Sequence, residues 1–235
     1  MNECRLVRSE HDGAVTHVIL DRPEAHNAVT YTMMLQLIDA LDAAESADIL
    51  VLRAAGGDFT LGRDQSERPA GVTPAENLSR ILEVNDRLRR FGGISVGLIR
   101  GRALGFGSGL ALHCDITIAS ETAVFGFDEI IHGFPPLIVE TYLTEHITRK
   151  AALDLVLTGR HVPAAEALAL GIVSRVVGDG ELDAIGDAVV TGLREANVSA
   201  LRRAKAFLSE IGRIPAEERG PYGVRELVSW RQAQR

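Results

Sequence analysis

The amino-acid sequence predicts an α/β fold that ends in a helical region. Three observations carry the prediction. Strand-like and helix-like segments alternate through the first two-thirds of the 235 residues, and helices alone fill the last third. Segment 48–55, DILVLRAA, has a nearly continuous apolar core, as in a sheet covered on both faces. A glycine-rich run, 101–109, lies between a strand and an apolar helix. Backbone N–H groups at a helix start can hold an anionic oxygen there.

The elements follow in order. Segments 4–9 and 15–20 read as a hairpin across the turn-like His11-Asp12-Gly13. Met34, Leu37, Ile38 and Leu41 fall at i, i+3, i+4, i+7 and make one apolar helix face. After the strand at 48–55, residues 56–73 show no periodicity, and loops of this length are functional or disordered. Thr73-Pro74-Ala75-Glu76 starts a helix, with Thr as N-cap, Pro at N1 and Glu at N3. Leu78, Ile81, Leu82, Asn85 and Leu88 continue its face, with Asn85 a polar interruption. Strand 94–100 leads into the glycine run, a short apolar helix at 110–113, and strands at 115–119 and 123–127. From Pro136 the pattern is mostly helical. Helix 164–170 is closed by Gly171 at C′, a strand occupies 172–177, and helices cover 182–194, 198–211 and 223–234.

Composition narrows the function classes. The chain is 46% hydrophobic and 24% charged, a globular mixture. Its net charge of −7 argues against nucleic acid as a partner, since phosphate binding needs a clustered basic face. Cys4 and Cys114 are far apart, match no zinc spacing and fit a reducing compartment. His113, His132 and His146 show no ligand spacing, so no metal is expected; His113, on an apolar helix, reads as a core histidine. No apolar run approaches the roughly 20 residues of a membrane span. The opening residues carry neither a signal-peptide core nor a transit pattern, so the expected location is cytoplasmic.

Two loops carry glycine after a strand: Phe59-Thr60-Leu61-Gly62-Arg63-Asp64, and the run 101–109. Each glycine permits positive φ and close backbone approach, which serves either an anion site or simple tight packing. A dinucleotide fingerprint fails because its third glycine falls on Leu110. A nucleophile elbow around Ser108 fails because Phe106 and Leu110 stand where glycines are needed.

These segments, taken together, resemble the crotonase superfamily, the enoyl-CoA hydratase/isomerase family. The carriers are LDRPE at 20–24 with Asn27-Ala28, FTLGRD at 59–64, GRALGFGSGLALHCDITIAS at 101–120, FGFDEIIHGFPP at 125–136 and LTGRHVPAAEALALGIVSRVV at 157–177. The resemblance implies a spiral of ββα units over 1–178, and a helical region over 179–235 that makes trimer contacts, in a homotrimer or dimer of trimers. It implies an acyl-CoA thioester substrate and no separate cofactor. The thioester carbonyl would lie between the backbone N–H groups of Arg63 and Phe106, flanked by Gly62, Asp64, Gly105 and Gly107, with Pro136 bordering the acyl site. Both donor positions commonly carry small residues in the family, so the Arg63 and Phe106 side chains narrow or redirect the pocket.

The family's hydratases use two glutamates. By motif position one falls at Gly109 and the other at Glu129. Glu129 is the expected acid/base, with Asp128 its nearest competitor and a solvated loop glutamate the bland alternative. Adding water to a double bond is readily served by two carboxylates; moving the bond from the 3,4 to the 2,3 position needs one. The expected reaction is therefore enoyl-CoA double-bond isomerisation. Hydration, other CoA-ester hydrolysis or lysis, and a silent CoA-binding member remain open. His132 is close enough in sequence to face the site. Arg22, Arg63, Arg68 and Lys205 are candidates to meet CoA phosphates or to be solvated.

Overall fold

The structure, a computed structural model, describes residues 5–234. Cys4, at the start of the first expected strand, lies outside them. The chain divides into two compact units, residues 1–195 and 196–235.

In the first unit, β1 (Val7–Asp12) and β2 (Val15–Leu20) form an antiparallel hairpin. Asp12 pairs with Val15, so the turn is the two residues Gly13-Ala14, with Gly13 at φ 61°. The strand thus runs through His11 and Asp12, which the sequence reading gives to the turn. A two-residue turn with positive φ matches strand twist, so pairing can continue to its edge.

Strands β3 (Ile49–Ala54), β4 (Ile94–Ile99), β6 (Ile116–Ser120) and β9 (Arg175–Val177) extend this hairpin in parallel, in the order β1-β2-β3-β4-β6-β9. A smaller sheet joins β5 (Arg102–Leu104), β7 (Val124–Gly126) and β8 (Val162–Pro163). The large sheet is covered on both faces. Val18, Leu20, Leu50 and Leu52 face a core shared with α1 (Tyr31–Ala43), α2 (Pro74–Arg90) and α3 (Phe106–His113). Val15, Ile49, Val51, Val96 and Leu98 point the other way, as period-two alternation requires, against Leu182, Ile185 and Val189 of α7 (Leu182–Glu195).

Helix α7 packs so closely that a Cβ on Gly186 would lie 2.8 Å from the Leu98 side chain. The first unit therefore ends after Glu195, whereas the sequence reading divides the chain at 178. The helices α4 (Leu137–His146), α5 (Arg149–Thr158) and α6 (Ala164–Leu170) complete this unit. The second unit holds α8 (Val198–Ile211), which carries Lys205, and α9 (Arg219–Ala233). Its two helices are joined by Arg203 donating to Glu226 at 2.6 Å and by stacking of Phe207 on Tyr222.

Helix α2 starts as its sequence signature requires. The Glu76 N–H donates to Thr73 Oγ1, and the Thr73 N–H donates to Glu76 Oε2 at 2.8 Å. Thr73→Ala is expected to lower unfolding stability by about 1 kcal/mol in urea titration.

Candidate active site

Two backbone crossings build the site. The Thr60 N–H donates to the Arg102 carbonyl at 2.9 Å, and the Leu104 N–H donates to the Thr60 carbonyl at 3.0 Å. This bridge lays the 59–64 loop along β5. The buried Thr60 hydroxyl donates to the Asn27 carbonyl and accepts from the Gly62 N–H. Asn27, itself fully buried, donates to the carbonyls of Ala55 and Asp58. The RPEAHN segment thus clamps the first loop.

Three glycines let the strands approach. A Cβ on Gly107 would lie 2.6 Å from Thr60 Cγ2 and 3.0 Å from the Thr60 carbonyl oxygen. Gly62 has φ 85°, and a Cβ there would lie 2.8 Å from the Leu104 carbonyl oxygen. Gly105 has φ 50° and ψ −114°, a conformation that only glycine adopts readily. It turns the chain from β5 into α3, so the helix starts at Phe106 inside the glycine run; the sequence reading places its apolar body at 110–113. Among the described hydrogen bonds, the backbone N–H groups of Arg63 and Phe106 have no acceptor. Ser108 is structural: its hydroxyl donates to the Ala103 carbonyl and accepts from the Gly126 N–H.

Neither donor's side chain is free. Arg63 donates to the Val29 carbonyl and, at 2.6 Å, to Asn77 Oδ1 on α2. Phe106 is buried in the main core. Asp64 accepts from Arg22 at 2.9 Å and from the Ser66 hydroxyl at 2.6 Å, and these bonds, Ser66's foremost, hold its carboxyl below the ordinary range. Asp64 and Arg22 therefore brace the loop. Pro136 is buried as the N-cap of α4.

Glu129 begins a 3-10 turn, Glu129–His132, after β7. Its Oε1 lies 2.9 Å from where a Cβ on Gly105 would be, so the carboxyl sits over the α3 start. Its Oε2 is buried without a partner. Burial pushes its pKa up, and the neighbouring Asp128 charge adds to the shift. Asp128 itself points to His161 at 3.2 Å and His132 at 3.9 Å, and His132 is exposed. Asp128 is thus directed to His161 and His132, while Glu129 faces the α3 start.

At Gly109 the space of a side chain is taken by the Tyr142 hydroxyl from α4. Burial and the nearby Glu129 charge push the Tyr142 pKa upward, so the phenol stays neutral. Around it lie Asn85, which approaches the hydroxyl but has neither Oδ1 nor Nδ2 in a formed hydrogen bond, and His113, whose ring centroid is 4.4 Å from the Tyr142 ring. Sequence reasoning registers Asn85 only as a break in an apolar face and His113 as a core residue. Tyr142 gives no local signal, because its role depends on a glycine thirty-three residues earlier.

The site brings together one helix start, two N–H donors with no acceptor among the described hydrogen bonds, a half-buried carboxyl and a neutral hydroxyl. Such a set can stabilise charge on a carbonyl oxygen while a proton moves beside it.

His113 is held neutral by burial, with its pKa lowered to about 4. An unfolded histidine takes a proton near 6.5, so below that pH the unfolded chain binds more protons and stability falls until the folded value is reached. Between pH 7 and pH 5 the loss from this residue is expected to be about 2 kcal/mol. Unfolding of His113→Gln should lack that part of the pH dependence.

The chain is similar to known proteins. The sequence profile described as enoyl-CoA hydratase/isomerase matches residues 10–221. A Thermus thermophilus protein assigned as an enoyl-CoA hydratase is 33% identical over 204 residues, covering 83% of this chain and 81% of that protein. A Thermobifida fusca structure, assigned likewise and solved with acetoacetyl-CoA, has a TM-score of 0.86 at 31% identity and covers 98% of this chain and 96% of its own. An enoyl-CoA hydratase structure from Mycobacterium smegmatis has a TM-score of 0.87 at 26% identity, over 95% and 90% of the two chains.

Proposed function

The chain belongs to the enoyl-CoA hydratase/isomerase family, and from that premise we propose that it moves the double bond of an enoyl-CoA thioester, with Glu129 as the single acid/base. One observation carries the reading. Glu129 is a half-buried carboxyl over the start of α3 whose Oε2 is enclosed without a partner, and position 109 on the next turn is a glycine.

The Glu129 carboxylate takes a proton from carbon 2 of a 3-enoyl thioester. The C–H electron pair moves into the conjugated system, and negative charge collects on the thioester oxygen. The N–H groups of Arg63 and Phe106 hold that charge, each worth on the order of 3–4 kcal/mol in comparable sites. Protonated Glu129 then delivers the proton to carbon 4, which leaves the bond between carbons 2 and 3. A raised carboxyl pKa suits a group that must both take and return a proton. Coenzyme A enters as part of the substrate, and the chemistry calls for no further cofactor.

Hydration of a 2-enoyl-CoA is the second reading. It is favoured by the unpartnered Asn85 amide beside Tyr142, which offers a place for a water. It is also the activity that several relatives' names carry.

Assays on 3-enoyl-CoA and 2-enoyl-CoA test the reading. Glu129→Gln should lower isomerisation by about 10²–10⁴-fold. Unchanged turnover would remove Glu129 from the mechanism. Phe106→Pro keeps a residue suited to the first helical position but deletes its N–H, and should cost about 10²–10³-fold. Phe106→Ala should retain measurable activity; equal rates in the two variants would refute backbone donation.

The helices α8 and α9 are assigned to self-association as a trimer or dimer of trimers. Exposed Leu208, Val224, Leu227 and Val228 support this, since isolated helices rarely leave so much apolar surface in water. Light scattering should give three or six times the 25.3 kDa chain mass, and a monomer would overturn it.

A further inference from the structure

The segment after α5 forms a seat for the turn that carries Glu129. Strand β8 pairs antiparallel with β7, Val162 beside Phe125 and Pro163 beside Val124. Continuing that register by one residue brings His161 to Gly126. The imidazole lies against this glycine, where a Cβ would be 2.8 Å from His161 Cδ2. Two residues earlier, Gly159 ends α5 at φ 61°, and a Cβ there would be 2.6 Å from Ile131 Cγ1. The turn is thus held at two points. Ile131 packs on Gly159, and Asp128 Oδ2 accepts a hydrogen bond from His161 Nε2 at 3.2 Å. A carboxylate only accepts, so Nε2 carries the proton.

This seat adjoins both parts of the proposed chemistry. The Gly126 carbonyl accepts the Gly105 N–H at 2.8 Å, and Gly105 is the residue that the Glu129 carboxyl covers. Asp128 has 18% of its side chain exposed and precedes Glu129 in the chain. Its carboxyl is turned to His161, while Glu129 Oε1 lies over the start of α3. Among the described residues, the charges that act on the Glu129 carboxyl are those of Asp128 and His132 on its own turn. Tyr142 faces it from α4 as a neutral phenol, and His161 reaches it through Asp128. Asp128 raises the proton affinity of Glu129 and His132 lowers it. A charge held in place by a hydrogen bond acts on its neighbour at a constant distance, whereas a carboxylate free to rotate does not.

We propose that Asp128 and His161 are a positioning pair for Glu129: His161 seats the turn against Gly126 and holds the Asp128 carboxylate one residue from the base, outside the reacting space. Neither side chain takes the proton that moves. Asp128, the nearest competitor of Glu129 by sequence, acts through Glu129 and not in its place. The pair rests on the acid/base reading of Glu129 above, but not on whether the double bond is moved or hydrated.

Initial rates of the full chain on 3-hexenoyl-CoA and 2-hexenoyl-CoA, measured across pH, test it. The acid limb of kcat/KM reports the base of the free enzyme. Asp128→Asn keeps an acceptor for His161 but removes the charge. It should move that limb to lower pH, raising the rate on the limb relative to the plateau about threefold, with KM within about twofold. His161→Ala should lower kcat about tenfold. His161→Gln, whose amide can still donate to Asp128, should recover kcat to within about threefold of the parent. An unmoved limb in Asp128→Asn, an unchanged kcat in His161→Ala, or a loss that His161→Gln does not recover overturns the pair. Lower thermal stability with limb and kcat unmoved would assign both residues to the fold alone and also overturn it. Turnover of neither thioester by the parent, or full turnover by Glu129→Gln, would instead overturn the acid/base reading, and the pair with it.

Discussion

The site depends on the backbone bridge between Thr60 and Ala103. Through it the Thr60 N–H reaches the Arg102 carbonyl and the Thr60 carbonyl receives the Leu104 N–H. Two loops that follow different strands of the sheet, forty residues apart in sequence, are thereby fixed side by side. Each contributes an N–H with no acceptor among the described hydrogen bonds, one at Arg63 and one at Phe106. In the proposed mechanism the two donors act together on one carbonyl oxygen; their separation is set by this bridge and by the absence of a Cβ at Gly107.

The polar residues around the bridge serve mainly to hold it. Asp58 accepts from the Arg102 side chain and backbone N–H, and those bonds hold its carboxyl well below the ordinary range. Asn27 ties down the strand end, and Arg22 with Ser66 occupies Asp64. Charge-assisted bonds of this kind are shorter and stronger than neutral ones and fix geometry at the loops' bases. Preorganised donors are what electrostatic stabilisation of a developing oxyanion requires, because nothing then has to reorient as charge builds.

The reacting face combines one group that can change charge with others that resist it. Burial raises the Glu129 carboxyl towards the range where proton exchange is easy. The same burial keeps Tyr142 and His113 neutral. Neither of these two groups adds a charge beside Glu129; the adjacent charge that acts on it is that of Asp128, which raises its pKa further.

Much of this was legible in the sequence. The apolar run of β3, the Thr73–Glu76 capping box, the helix closed by Gly171 and the glycine positions each follow from local chemistry, and the structure bears them out. Glu129 could be singled out by motif, while the enclosure of its Oε2 comes from the fold. Tertiary packing alone decided the rest. The membership of α7 in the first unit rests on its contact with the opposite face of the sheet, which no helix pattern specifies. Arg63 meets Asn77 fourteen residues away, and Arg22 meets Asp64 across forty-two residues, contacts that no local pattern specifies. Above all, Gly109 in sequence is only a missing side chain. In the fold its vacancy is filled by Tyr142, because α4 crosses α3 where no Cβ stands in the way.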